Sequence, residues 1–468
     1  MNQSIDFVKI FEHYNRYLEI ELDQERITHS QLLNLINKYK TEQTLSIEKV
    51  GESIEQKDIF CISMGSGNRN ILVWSQMHGD EPTATAALFD LLNFFRCNDE
   101  YDFYRHSIFN ELKIHFIPML NPDGSDYHQR ENKISVDINR DSLRRESPEA
   151  KLLWDISRKA NPEFGFNLHD QNSYYTAGRV NKSSAISMLA PPYNFENTIN
   201  PARTKSMQLI GSINKTLSRY IPGHIARYKD DHEPRSFGDT FISDGISSIL
   251  IESGFIKGDN KKETVRKLNF IALIAAFNSL ITNDFEQMNQ HDYYSIPENE
   301  SLLFDLLLRN LNTSVNGKSF KIDIGINREK KFDKETNKFF YKSKITSVGD
   351  LENYFGIEEH NLDGFIVKPG SIFDKVLKSI PYTDEIERMH KNGFTTIKFD
   401  PFSIDFTYVE KPINVVPSYL KYNPSITVDE YANLQILSDD KLKYIVVNGF
   451  VCPLENYSNS ILNGIVIS

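Results

Sequence analysis

Two hydrophobic periods alternate between residues 71 and 280. Short apolar runs at Ile71–Ser75, Lys113–Pro118, Phe164–His169 and Ile246–Glu252 predict buried strands. Stretches with apolar positions at helical spacing predict helices over Pro82–Arg96, Pro148–Lys159, Pro201–Arg219 and Lys261–Leu280. Pro82 and Pro148 suit the first turn of a helix, where the missing N–H is no loss. Strands alternating with helices predict an α/β sheet covered on both faces. Upstream, Ile47–Met64 reads as two strands about Gly51-Glu52-Ser53. Residues 1–45 read as a polar helical extension, with Thr28-His29-Ser30-Gln31 as a capped helix start.

Residues 285–300 are polar and read as a linker. After Ser301 the pattern changes to short alternating runs between turns: Phe320–Ile326, Phe339–Ile345, Gly364–Val367, Ile404–Val409 and Tyr444–Val451. These predict a β-rich domain over 301–468, with short helices at Ser371–Ser379 and Asp384–Lys391. The α/β domain is expected over 46–288.

Composition narrows the function classes. A net charge of −11, with no basic block, argues against a nucleic-acid surface. No run of 18 or more apolar residues stands out, so no membrane span is expected. The first 21 residues lack an apolar signal core, and the three cysteines, Cys61, Cys97 and Cys452, are too sparse for a disulfide framework. The expectation is a cytoplasmic protein. Oligomeric state is not readable.

Chemistry-bearing residues cluster at the ends of the predicted strands. His78 and Glu81 follow the run ending at Ser75, His169 ends another, and Glu252 ends a third. Open α/β sheets place ligands at strand ends. Two imidazoles and a carboxylate are a zinc ligand set that leaves a position for water. Each residue alone has a plainer reading: Glu81 as a first-turn charge, His169 as a satisfied strand-end histidine, Glu252 as a paired buried acid.

The motifs His78-Gly-Asp-Glu81, Asn121-Pro-Asp-Gly124, Val136-Asp-Ile-Asn139-Arg140, Ser147-Pro-Glu-Ala150, Leu168-His169 and Ile251-Glu252 occur in that order. Together they resemble the zinc carboxypeptidase family over roughly residues 45–285. The resemblance implies a mixed, mostly parallel sheet with helices on both faces. It implies one zinc ion per chain, held by His78, Glu81 and His169, with Glu252 as general base and acid. Asn139 and Arg140 match the family's carboxylate-binding pair. Arg130 is the candidate for the arginine that polarises the scissile carbonyl, and Tyr228 for the mobile tyrosine. Arg144 and Arg145 read as helix-surface charges. The implied activity is release of the C-terminal residue of a peptide or peptide-like substrate with a free carboxylate. Asp239 and Asp244 fall where the family sets side-chain preference. A zinc-dependent N-acyl amino acid deacylase shares several of these motifs, and a non-catalytic binding protein on the same fold is the third reading.

Overall fold

The computed structural model describes residues 5–457 and 460–467. Two compact units divide between Ser301 and Leu302.

The first unit contains strands β1 (Ser46–Glu52), β2 (Asp58–Met64), β3 (Arg69–Trp74), β4 (Leu112–Ile117), β5 (Phe164–Asp170), β6 (Tyr175–Ala177), β7 (Ile186–Leu189), β8 (Ile225–Arg227), β9 (Ser247–Ser253) and β10 (Asn299–Ser301). Eight of them form one sheet in the order β1-β2-β4-β3-β5-β9-β7-β8. Its centre, β4-β3-β5-β9, is parallel, and antiparallel pairs flank it. Central parallel strands are covered on both faces, so they read as continuous apolar runs rather than alternating ones. In β3, Ile71 and Val73 enter one core while Leu72 and Trp74 enter the other. Burying each such side chain contributes about 1.5–3 kcal/mol.

The larger core is built under helices Thr83–Arg96, Pro201–Leu217 and Glu263–Thr282. Glu263–Thr282 is apolar over most of its circumference and largely buried, as a helix that packs against several neighbours must be. It is long and apolar enough to cross a membrane, but 78% of its apolar window is buried inside the unit. The opposite face carries Leu153 of helix Pro148–Ala160 and Phe237 and Phe241 of helix Phe237–Ser243. Thr28 caps helix His29–Tyr39 in a capping box with Gln31. Ile10, Tyr14, Leu35 and Tyr39 enter the larger core, so the N-terminal helices are integral to it. Arg266 pairs with the fully buried Asp90 at 2.6 Å and accounts for a charge that would otherwise be isolated.

Residues 285–300 are not a linker. Phe285, Tyr293 and Ile296 are buried in the larger core, Asn289 caps a helix over Gln290–Tyr294, and β10 pairs with β6. Polar caps between widely spaced apolar anchors gave this segment the composition of a loop.

The second unit is β-rich. One sheet includes Leu303–Val315, Lys318–Asp333 and Lys338–Gly349 as a meander, joined through Ile366–Pro369 to Leu434–Ser438, Lys441–Val447 and Phe450–Pro453. A smaller parallel sheet holds Ser371–Leu377, Phe394–Phe399 and Asn414–Pro417. The helix expected at Ser371–Ser379 is therefore a strand: Ile372 and Phe373 pair with Thr396 and Ile397, and pairing outweighs weak local preference. A helix does form over Thr383–Lys391. The run Ile404–Val409 is a strand only at Tyr408–Val409.

Candidate active site

Three adjacent parallel strands deliver their C-terminal ends to one place. His169 and Glu252 are direct cross-strand neighbours on β5 and β9. The loop after β3 brings His78 and Glu81. Two motif segments hold that loop. Gln76, at φ 44°, donates from Nε2 to the Gly79 carbonyl at 3.1 Å and to Ser125 Oγ at 3.0 Å. Asn121 caps helix Pro122–Tyr127 by accepting from Gly124 N–H at 2.8 Å, and its amide donates to the Met77 carbonyl at 3.2 Å. A Cβ at Gly79 would lie 1.9 Å from the Gly124 backbone, so only glycine permits the contact.

The result is a tight convergence. His78 Nδ1 lies 2.8 Å from Glu81 Oε1, His169 Nδ1 lies 2.7 Å from Glu81 Oε2, and the two Nδ1 atoms are 3.1 Å apart. Ligand atoms of these three residues all fall within 4.8 Å of one another, and all three residues are buried. His169 Nε2 is buried without a partner. Two imidazole nitrogens and a carboxylate oxygen converging on one point fit a divalent zinc of the catalytic kind.

Behind the ligands stands Asp137, which the motif contains but whose role was not read. Its Oδ1 is 3.1 Å from His78 Nε2, and its Oδ2 accepts from both Nε and Nη2 of Arg130 at 3.0 Å. It also caps the short turn Ile138–Arg140 by accepting from Asn139 N–H at 2.8 Å. One carboxylate thus orients a histidine, an arginine and the Asn139-Arg140 turn. A carboxylate behind a ligating histidine fixes its tautomer and raises its basicity.

Electrostatics follow from this crowding. Burial disfavours charge on His78, but the Glu81 charge and the Asp137 bond outweigh it and raise its pKa to about 9 without a metal. Asp137 is held below the usual carboxylate range despite burial, chiefly by His78 and Arg130. Burial, reinforced by the Glu81 charge, pushes the Glu252 carboxyl up to about 8. Glu252 has no hydrogen-bond partner among the described residues and is open to the cavity.

All eight residues singled out in the sequence line one cavity of about 510 Å³: His78, Glu81, Arg130, Asn139, Arg140, His169, Tyr228 and Glu252. Asn139 Oδ1 accepts from Phe237 N–H at 3.0 Å, and Arg140 Nε lies 3.3 Å from Glu233. Tyr228 packs near Tyr175, ring centroids 6.1 Å apart, and burial raises its phenol pKa, with the Glu252 charge adding to the effect. Of the two acids near the specificity segment, Asp239 lines the cavity and Asp244 does not; Asp244 lies near Arg158. Tyr175 begins the short strand β6, and His232 and Glu233 sit in the loop before helix Phe237–Ser243; none of the three stands in a distinguishing sequence pattern.

Residues 31–217 match the sequence model of the zinc carboxypeptidase family. That span includes His78, Glu81, Arg130, Asn139, Arg140 and His169, and ends before Tyr228 and Glu252. An uncharacterised protein of Zymomonas mobilis is 26% identical over 140 residues, 29% of this chain and 36% of its own. Carboxypeptidase 2 of Trichophyton rubrum is 28% identical over 115 residues, 24% of this chain and 20% of its own. The chain thus spans little more than a third, or less, of the length of these relatives. A solved metallo-carboxypeptidase from Burkholderia cenocepacia aligns over 55% of this chain and 70% of its own, at 15% identity and a TM-score of 0.46.

Proposed function

We propose that this chain, whose residues 31–217 belong to the zinc carboxypeptidase family, is a zinc-dependent metallocarboxypeptidase that removes the C-terminal residue of a peptide. The observation that carries the reading is the lining of one cavity. It joins a two-histidine, one-glutamate metal set to a free carboxylate, Glu252, and to the Asn139-Arg140 pair.

In this reading His78, Glu81 and His169 hold one zinc ion per chain, which supplies Lewis acidity and lowers the pKa of bound water to about 7. Glu252 is the general base and then the general acid. Its carboxylate accepts a proton from the attacking water and passes it to the departing amine nitrogen. Glu252, held protonated by burial and the Glu81 charge, would be favoured in its ionised form by a divalent cation on the three ligands. Arg140 and the Asn139 amide bind the terminal carboxylate, which sets exopeptidase register: a guanidinium meets a carboxylate with paired, charge-assisted bonds. Arg130, held by Asp137, donates toward the scissile carbonyl oxygen as charge builds there. Tyr228 closes over the bound residue and excludes water.

A peptide-library digest of the zinc-loaded protein, read by mass spectrometry, tests this. Products shortened by one residue from the C-terminus are expected. Internal cleavage, or release of acyl groups from N-acyl amino acids without peptide trimming, would reject it.

A further inference from the structure

Asp170 and Ser253 follow His169 and Glu252 on β5 and β9 and are themselves cross-strand neighbours. The Asp170 N–H donates to Glu81 Oε2 at 3.2 Å, so the backbone here touches a metal ligand. The Asp170 carboxylate is anchored in turn. Its Oδ2 accepts from the Thr83 hydroxyl and, at 3.1 Å, from Lys262 Nζ, while its Oδ1 is buried with no partner among the described residues. The same ammonium donates to the Ser253 carbonyl at 3.1 Å, which also accepts from Gln171 N–H at 3.0 Å. One cation thus ties the strand end that bears His169 to the strand end that bears Glu252. Through the shared carboxylate it also reaches Thr83, the start of the helix just after Glu81.

Local preference argues against lysine at 262. Its backbone is left-handed, at φ 55°, a conformation that favours glycine. It stands at the N-terminus of helix Glu263–Thr282, where a positive charge opposes the helix dipole. The helix does not need its side chain as a cap either: Asp259 accepts there from the Thr264 and Val265 N–H groups at 3.0 and 3.2 Å. A non-glycine residue in a sparsely populated conformation persists where its surroundings over-determine it, and such residues cluster at functional sites. Here the surroundings are the two strand ends. Lys262 also supplies the counter-charge of Asp170, which would otherwise be a buried carboxylate without compensation.

We propose that Lys262 is a positioning residue for the metal centre: its ammonium clamps the ends of β5 and β9, and so fixes the Asp170 N–H against Glu81 and the spacing of His169 and Glu252. The inference rests on the metal-site part of the carboxypeptidase reading. The test uses two variants of the full chain. Lys262→Met keeps the stem and removes the charge; Lys262→Gly suits the left-handed backbone. Zinc dissociation constants are measured by chelator competition, and kcat and KM on one peptide, well below each variant's melting temperature. Both variants should bind zinc about tenfold more weakly, the lower end of the loss for groups behind a metal ligand. At full zinc loading kcat should fall by about tenfold with KM nearly unchanged, because Lys262 lies outside the cavity lining. A zinc dissociation constant and a kcat within twofold of the unaltered protein, in either variant, overturn the clamp and leave the carboxypeptidase reading standing. If the unaltered protein binds zinc but cleaves no peptide, that reading fails while the zinc measurements still decide the clamp. An unaltered protein that binds no zinc overturns both.

Discussion

Asp137→Asn is the most instructive perturbation, because one carboxylate serves three clients. Oδ1 faces His78 Nε2 at 3.1 Å and accepts from Asn139 N–H at 2.8 Å; Oδ2 accepts from two nitrogens of Arg130 at 3.0 Å. The amide is nearly isosteric, so backbone and cavity shape should survive. Its oxygen can take over the Oδ1 role, but its nitrogen is a donor and then opposes the donors of Arg130. The negative charge that makes His78 a better ligand is lost. Removing such a partner of a ligating histidine costs 10–100-fold in metal affinity, or about 1.4–2.8 kcal/mol. Arg130 is part exposed, with 39% of its side chain accessible, so water compensates much of its lost ion pair. The assay is competition for zinc between metal-free protein and a chromophoric chelator, at fixed pH. The expected result is a dissociation constant raised 10- to 100-fold with little change in melting temperature. A dissociation constant within twofold of the unaltered protein would refute the argument that Asp137 tunes the metal site, and would leave it as a support for the turn and Arg130 alone.

Other outcomes are as specific. Glu252→Gln should retain zinc and lose turnover by at least the 10²–10⁴-fold typical of a general base; near-normal rates would place the base elsewhere. His169→Ala should lose most of its zinc by elemental analysis, since one of three converging ligands is gone. The metal-free protein should lose stability as pH rises from about 6.5 through 9, above the range in which the lowered pKa values of His169 and His390 act with the opposite sign, as read by thermal melts in chelator. Glu252 keeps its proton in the folded state to about 8 and releases it near 4.5 when unfolded, and His78, raised to about 9, adds the same sign above its ordinary 6.5; a rising melting temperature over that window would contradict both shifts. A fragment ending at Ser301 should bind zinc, whereas one ending at Asn289 should be destabilised by several kcal/mol, because it loses the buried Tyr293 and Ile296.

The parallel centre of the sheet was legible because strands buried on both faces carry unbroken apolar runs, as Ile71–Trp74 of β3, Phe164–Phe166 of β5 and Ile249–Ile251 of β9 do. Their ends were legible as a site because nothing structural asks for His78, His169 and Glu252 at three such ends. The recognisable motifs turned out to carry different burdens. His78 and Glu81 face the cavity, whereas Asn121, Pro122 and Gly124 build the seat for the loop that bears them, and Ser147 caps helix Pro148–Ala160 by accepting from Ala150 N–H at 3.3 Å. Asp137 was invisible as a separate role, since its three partners are set by turn geometry rather than spacing. In the second unit, short runs such as Ser371–Leu377 gave no reliable period, because strand pairing there is decided by partners far along the chain.

The central claim is that Asn139 and Arg140 hold a free terminal carboxylate beside the metal set. Its most direct test is one good substrate peptide offered to the zinc-loaded protein as the free acid and as the C-terminal amide. Amidation removes the charge that Arg140 would bind; with 36% of its side chain accessible, Arg140 offers a charge-assisted hydrogen bond worth about 1.5–3 kcal/mol rather than a buried pair. The free acid should therefore be cleaved about ten- to hundredfold more efficiently, at 1.4 kcal/mol per decade. Arg140→Ala should erase that ratio. Equal cleavage of acid and amide by the unaltered protein would contradict the account.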